Sequence, residues 1–157
     1  MKRLVIYLII IAAVVAAPVR PLNVDQLLPV QVVSVYKEGT RSVIETDTGN
    51  KGVGDTVSEA LQNLKDTASG TVYLKTAEYL LITQDTIKDG VALLGELRAS
   101  ARMCETVGRL NLEEVAQYLN AHTHLPKVKA WKKGAELPIL GAFENSLIFL
   151  KKVENNA

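Results

Sequence analysis

Apolar and polar positions alternate along the chain in patterns that predict strands at both ends of the folded part. Two runs rich in β-branched residues, 30–36 and 42–48, flank the turn signal "KEGT" and predict a β-hairpin. Near the C-terminus, "LPILGAF" and "SLIFLKKV" flank "EN" and predict a closing hairpin. Between these hairpins the apolar spacing changes from one segment to the next, which predicts a mixture of helices and strands.

Three helices are predicted between the hairpins. The first begins at a capping box, in which Thr56 is the N-cap and Glu59 lies three residues later, and we expect it to end at Gly70. The second begins within residues 83–85, and the third begins at the N-cap Asn111. The apolar positions expected to face the core are Val57, Ala60, Leu61 and Leu64 in the first helix, Ile87, Val91, Leu94 and Leu97 in the second, and Val115, Ala116 and Leu119 in the third.

The segments between the helices predict further strands. "TVYLKT", "EYLLIT" and "ARMCETVG" are β-favouring runs, and the second is apolar enough to be a central strand buried on both faces. Residues 49–54, "GNKGVG", are expected to form a flexible connection, since they match neither a P-loop nor a dinucleotide fingerprint. The order β-β-α-β-β-α-β-α-β-β predicts an α/β or α+β domain over residues 23–157, with a mixed sheet, about three helices and hairpins at both ends.

The first residues have the layout of a secretory signal. "MKR" supplies a basic start, and the apolar residues 4–17 run from Leu4 to Ala17 before the small residues and prolines of "AAPVRP". A helix of that length spans about 21 Å, which is less than the ~30 Å hydrocarbon core of a bilayer. We expect residues 1–22 to direct export, either as a cleaved signal or as an uncleaved membrane anchor with its linker. The folded domain is therefore predicted to be extracytoplasmic.

Composition excludes some partners. The chain carries 18 basic and 17 acidic residues, and Lys2 and Arg3 belong to the predicted signal, so the body of the protein is close to neutral. A near-neutral domain lacks the basic surface that binds phosphate backbones, and we expect no nucleic-acid partner. The single cysteine, Cys104, has no second cysteine with which to form an internal disulfide. It lies in a predicted strand and is expected to be a small buried side chain rather than a nucleophile.

Histidine chemistry has one candidate location. His122 and His124 lie two residues apart in "NAHTHLP" and would share a face if this segment were extended. A metal site needs a third or fourth ligand, and the neighbouring sequence supplies neither a cysteine nor an HExxH motif. A surface or helix-capping role for His122 is therefore favoured over metal binding. No metal ion or other cofactor is expected, although His122 and His124 remain the weak candidates for one.

Catalytic motifs are lacking in this sequence. The serines have no GxSxG or SxxK context, and Glu113 and Glu114 are adjacent on a predicted helix and do not face each other. Trp131 has lysines on both sides in "KVKAWKK", which could meet an anionic bilayer surface. Packing of this tryptophan onto the domain, beneath a solvated lysine loop, is the favoured alternative. We therefore predict a protein that is not an enzyme.

The order of these segments resembles the N-terminal domain of Ger(x)C-type spore germination proteins, the C subunits of bacterial germinant receptors. The similarity covers roughly residues 30–153. It continues through "TVYLKTAEYLLIT", "TIKDGVALLGEL", "RASARMCETV" and "NLEEVAQYL" to the tail "LPILGAFENSLIFLKK". The family pattern T-x-x-E-A-L-x-N-L is matched by Thr56, Glu59, Ala60, Leu61, Asn63 and Leu64.

This resemblance implies a non-enzymatic role in sporulation and germination. A member of the family would lie on the outer face of the inner spore membrane and act through protein–protein contacts with two membrane-spanning receptor subunits. Family members are lipidated on a cysteine directly after the signal, whereas "AAVVAAPVRP" contains none. Any membrane attachment is therefore expected to come from the uncleaved segment 4–17, in a short single-domain relative of the family. The alternative hypothesis is a small exported ligand- or metal-binding module centred on His122 and His124.

Overall fold

The computed structural model describes residues 6–7, 27–121, 125–131, 135–144 and 146–151. They form a single-domain α+β fold, which confirms the predicted fold class. The strands are β1 (Leu27–Pro29), β2 (Val32–Glu38), β3 (Arg41–Thr46), β4 (Lys51–Gly54), β5 (Thr71–Tyr73), β6 (Tyr79–Thr83), β7 (Arg102–Thr106), β8 (Ile139–Phe143) and β9 (Ser146–Lys151). The helices are α1 (Val57–Thr67), α2 (Val91–Leu94) and α3 (Leu112–Asn120), with 3₁₀ turns at Leu74–Thr76 and Val128–Ala130.

The main sheet is mixed. Its seven strands lie in the order β4-β3-β2-β6-β7-β8-β9. Parallel pairings join β2 to β6, β6 to β7 and β7 to β8, while antiparallel pairings join β3 to β2, β4 to β3 and β9 to β8. The short strands β1 and β5 form a separate parallel pair. Because β2, β6, β7 and β8 run in one direction, all four begin at one end of the sheet and finish at the opposite end.

Helices cover both faces of this sheet, and each face has its own core. Under α1 and α2, the central buried side chains are Val33, Val35, Ile44, Leu64, Leu80, Leu93 and Met103. Under α3, they are Val32, Tyr79, Leu81, Cys104, Val115, Leu119 and Leu140. The alternation of residues along β2, β6 and β7 sends successive side chains into opposite cores. All five residues of β6 are buried, as predicted for a central strand.

The first helix follows the sequence pattern closely. The Thr56 side chain accepts a hydrogen bond from the Glu59 amide at 3.2 Å, and the Glu59 carboxylate accepts one from the Asp55 amide at 2.9 Å. The first bond satisfies an amide that a helix N-terminus leaves free, and the second ties the residue before the N-cap to the first turn of α1. The predicted apolar face is buried. The helix ends at Thr67, with Ala68 as its C-cap, rather than at Gly70.

The predicted flexible connection at residues 49–54 is wrong for its last four residues, because Lys51–Gly54 forms strand β4. The glycines there permit close packing rather than flexibility. A Cβ at Gly52 would lie 2.5 Å from the Leu64 backbone nitrogen, and a Cβ at Gly54 would lie 2.5 Å from the Ala60 nitrogen. Since real Cβ atoms do not come so close, the strand can lie directly beneath α1 only with glycine at both positions.

The second predicted helix is largely turns. Residues 84–90 form turns, and only Val91–Leu94 is helical. The hydroxyl of Thr86, which is fully buried, lies 3.1 Å from the Val35 carbonyl and 3.0 Å from the Thr83 carbonyl, so a side chain replaces regular helical bonding. Leu97 is buried as predicted. Leu93 occupies the core, whereas Ile87 and Leu94 pack only partly against it, and the Val91 side chain lies outside the described part.

The remaining predicted elements are present with small shifts. The first hairpin is β2–β3, "ARMCETVG" contains β7, and the closing hairpin is β8–β9. The N-cap of α3 is Asn111, as predicted, and its side chain accepts a hydrogen bond from the Glu113 amide. Two features differ: β1 has no counterpart among the predicted strands, and "TVYLKT" contributes β5 to the small sheet with β1.

Most of the predicted signal or anchor, residues 4–17, and the proposed boundary at residue 22 lie outside the described residues. Among the residues that the structure describes, no helix is both long and apolar enough to cross a membrane.

Candidate functional site

A polar cluster lies on the sheet face that carries α3, beyond the N-terminus of that helix. Arg109 follows β7 and reaches back to β3, where its Nε and Nη2 donate to the two carboxylate oxygens of Glu45 at 2.9 and 2.7 Å. The Tyr36 hydroxyl, from β2, donates to the same carboxylate at 2.8 Å. At the edge of the cluster, Lys51 donates to Glu38 at 2.8 Å.

The cluster keeps its groups in fixed protonation states. Burial would raise the pKa of Glu45, but hydrogen bonds from Arg109 and Tyr36 outweigh it and hold this pKa below its usual value. Burial raises the pKa of Tyr36, and the hydrogen bond to Glu45 raises it further. The hydrogen bond to Glu45 also raises the pKa of Arg109. At neutral pH the carboxylate is therefore ionised, the guanidinium is charged and the phenol is protonated.

Two open clefts lie on either side of the Arg109 side chain. One has a volume of about 460 Å³ and is lined by the last residues of β3, by Asp47 and Gly49 in the turn that follows, and by the first residues of α3, including Glu113. The other has a volume of about 300 Å³ and includes Thr83 and Asp85. Carboxylates outnumber cations around the larger cleft, whereas the smaller cleft is lined by two of each.

The chemistry of the cluster favours a structural role. A general base needs a pKa near the working pH, whereas the Glu45 carboxylate already accepts three hydrogen bonds and its pKa is lowered. Tyr36 holds its proton more tightly than a free tyrosine does. The bidentate pair instead links the turn after β7 to β3. In the sheet order, β2 and β6 lie between these two strands. The cluster therefore positions a loop rather than transferring protons.

The candidate metal-binding and nucleophilic residues named from the sequence form no cluster within the described residues. His122 and His124 lie outside those residues, so the metal-binding hypothesis stays a prediction. Within the described residues, no three histidine, cysteine, aspartate or glutamate side chains are grouped to hold a metal ion. Cys104 is fully buried in the core under α3, and burial raises the pKa of its thiol to about 12. A thiol with that pKa is not a nucleophile at neutral pH.

The two edges of the main sheet differ in their exposure. At one edge, β4 is short, begins with the charged Lys51, and has its Val53 amide hydrogen-bonded to the Asn63 side chain of α1 at 3.0 Å. These features block pairing with another strand. At the other edge, β9 is six residues long and contains four consecutive apolar residues, "LIFL". In the described part of the chain, β9 pairs only with β8.

One side of the closing hairpin exposes large apolar side chains. Ile148 lies opposite Gly141 in the β8–β9 register, Leu150 lies over Gly141, and Phe143 follows two residues later on the same face. We call Phe143, Ile148 and Leu150 the hairpin face. Their exposed fractions are 60%, 37% and 55%. Leu147 and Phe149 point to the opposite face, where they pack against the core under α3.

The segment that contains Lys127, Lys129 and Trp131 lies at the end of the sheet where the parallel strands begin. The Val128 amide donates to the Ala101 carbonyl at 2.7 Å, and Lys127 forms a bridge with Arg102 at the start of β7. Trp131 packs partly against the core under α1 and α2, as the favoured alternative predicts, while Lys127 and Lys129 are exposed.

Sequence reasoning missed the polar cluster and the hairpin face. Tyr36, Glu45 and Arg109 are joined only by the fold, and no motif connects them in the sequence. The hairpin face has a local signal, the unbroken "LIFL" run in a strand that follows a tight turn, because a strand with one solvated face normally alternates apolar and polar residues.

Comparison with known proteins returns no relationship. No model of a protein family matches the chain, and no curated protein or solved structure matches it significantly.

Proposed function

We propose that this chain is a non-catalytic interaction domain, exported and held at the outer face of a membrane by residues 4–17, that binds another protein through the hairpin face. The observation that carries the proposal is an open edge strand with exposed apolar side chains. The resemblance to germinant-receptor C subunits suggests the kind of partner, a membrane-spanning receptor subunit. A role in spore germination belongs to the same proposal.

The physical argument begins with the backbone of β9. The outermost strand of a sheet presents amide and carbonyl groups that can pair with an added strand. Such strand addition gives affinity through main-chain hydrogen bonds and specificity through alternate side chains. An added strand beside β9 would also cover Ile148 and Leu150, whose exposure costs free energy in the isolated domain. Binding is therefore expected to use both the strand edge and the hairpin face.

The polar cluster supports the non-catalytic part of this proposal. Its ionisable groups are paired with one another, and they hold a turn in place. The exposed apolar residues are of the type that dominates the energetics of protein interfaces, since an aromatic side chain lies among them.

The variant Ile148→Lys tests the proposed surface. A lysine on the hairpin face would bring an unpaired charge into the interface, and we expect at least about tenfold less complex with the membrane-protein partner. The measurement is size-exclusion chromatography of the full chain solubilised from its native membrane in mild detergent. The matched control is Tyr73→Lys, which changes an exposed side chain on β5, outside the main sheet. Co-elution of Ile148→Lys with the partner at the wild-type level would contradict the proposal.

A further inference from the structure

The direction of the parallel strands gathers several chain segments at one end of the domain. β2, β6, β7 and β8 all begin there. The chain enters the fold at this end, because β1 leads within a few residues into the start of β2. The 3₁₀ turn at Val128–Ala130 lies at this end as well, held by the Lys127–Arg102 bridge and by the Lys129 amide, which donates to the Ala99 carbonyl at 3.3 Å.

Cations without carboxylate partners collect at this end. Three carboxylates here already form ion pairs: Glu78 with Arg98, Glu96 with Lys65, and Glu136 with Lys151. Asp47, beside the start of β2, accepts hydrogen bonds from the Gln31 amide. Among the residues that the structure describes, Arg102, Lys127 and Lys129 have no carboxylate within ion-pair distance. Arg102 and Lys127 lie opposite each other across the bridge, so two like charges are held side by side. We call Arg102, Lys127 and Lys129 the basic end.

The opposite end of the sheet, where the parallel strands finish, has no comparable excess of unpaired cations among the described residues. Its exposed carboxylates Asp85, Asp89 and Glu144 are accompanied by the exposed cations Lys37 and Lys88. Glu38, Arg41 and Arg109 there are paired with Lys51, Asp55 and Glu45. An anionic surface would therefore attract the basic end more strongly than the opposite end.

The linker between the apolar segment and the fold also leads to the basic end. Residues 18–26 join the apolar segment 4–17 to β1, and even when fully extended they reach roughly 30 Å. A membrane that holds residues 4–17 therefore lies near the basic end, within the range that a short linker allows.

We infer that the basic end contacts the anionic lipid head groups of the membrane that anchors the chain, so that the domain stands on the bilayer with its parallel strands pointing outward. This inference rests on the proposed anchoring by residues 4–17. Each cation close to an anionic bilayer adds to the attraction, and three of them shift the ratio of membrane-facing to freely tumbling orientations by about tenfold or more. The hairpin face is then presented laterally, toward neighbouring membrane proteins.

A fluorescent label at the basic end tests the inference with the full chain. Ala130 is exposed beside Lys129, so the variant Ala130→Cys can carry an environment-sensitive NBD fluorophore, while the buried Cys104 reacts slowly. The labelled chain is reconstituted into neutral phosphatidylcholine vesicles and into vesicles with roughly 30% phosphatidylglycerol. We expect the emission to rise about twofold and shift to the blue in the anionic vesicles, and to return to the neutral-vesicle value in about 0.5 M salt.

Two further variants separate contact from other causes. Lys127→Glu with Lys129→Glu should abolish the response of the label at position 130. Gln84→Cys places the same label after β6 at the opposite end, where we expect no difference between the vesicles. An equal signal at position 130 in neutral and anionic vesicles, or an equal response at position 84, would overturn the inference.

Vesicle flotation distinguishes failure of the anchor from failure of the contact. A chain that floats with neutral vesicles has its anchor, and the label then reports the orientation alone. A chain that floats only with anionic vesicles, and only with Lys127 and Lys129 intact, contradicts the anchor but supports the lipid contact. A chain that floats with neither type of vesicle overturns both.

Discussion

Replacing Gly52 by alanine is expected to destabilise the domain by about 3 kcal/mol. The added Cβ would lie 2.5 Å from the Leu64 backbone nitrogen and 2.6 Å from the Leu64 Cβ, and it would also contact the Ala60 carbonyl oxygen. Backbone atoms of a helix cannot rotate away as a flexible side chain can. The whole of α1 would therefore have to move off β4, which would open the core around Leu64 and Ile44. Urea unfolding of the full chain in detergent micelles measures the loss.

Gly95→Ala is the matched control for this substitution. Gly95 lies after α2 with right-handed helical backbone angles, and a Cβ there meets no atom within 4 Å. We expect this variant to equal the wild type or to be more stable by up to about 1 kcal/mol, because alanine reduces the freedom of the unfolded chain. Equal stability of Gly52→Ala and Gly95→Ala would show that α1 does not lie on β4 in this way.

Thr86→Val is expected to cost about 1–3 kcal/mol, although it keeps the branched shape of the side chain and replaces only the hydroxyl by a methyl group. The Thr86 hydroxyl is buried between the Val35 and Thr83 carbonyls, at 3.1 and 3.0 Å, and lies 3.0 Å from the Thr83 hydroxyl. Valine leaves these acceptors without that donor in a site from which water is excluded. The loss should appear as a lower urea midpoint with an unchanged slope.

Thr71→Val is the control for the effect of replacing a threonine by a valine at an exposed position. Thr71 is exposed on β5, so Thr71→Val should change the free energy of unfolding by no more than about 0.5 kcal/mol. If Thr86→Val unfolds at the wild-type urea midpoint, then the turn after β6 is not held by this hydroxyl, and our explanation for the shortened second helix fails.

Local signals account for the elements that the sequence predicts correctly. The α1 N-terminus is specified by Thr56 and Glu59 within one turn, and the hairpins are specified by runs flanking short turns. The unbroken apolar run of β6 reflects burial on both faces, and that strand is central in the sheet. In each case the residues that determine the element are close together in the chain.

Tertiary contacts account for the elements that the sequence does not predict. The glycines of β4 indicate a loop when taken alone, and they become strand residues because α1 packs on them. The turns at residues 84–90 carry a helical apolar pattern, but Thr86 bonds to β2, which is distant in sequence. The polar cluster has the same origin, since Glu45 and Arg109 meet only after the sheet has formed.

The central claim is that the hairpin face binds a partner protein, and cross-linking from that face tests it most directly. The photoreactive residue p-benzoylphenylalanine can replace Phe143, an exposed aromatic of the hairpin face, and in a control chain it can replace Tyr73. After irradiation of native membranes, we expect an adduct with an integral membrane protein from position 143 and none from position 73. No adduct from position 143, the same adduct from both positions, or only an adduct between two copies of this chain would contradict the claim.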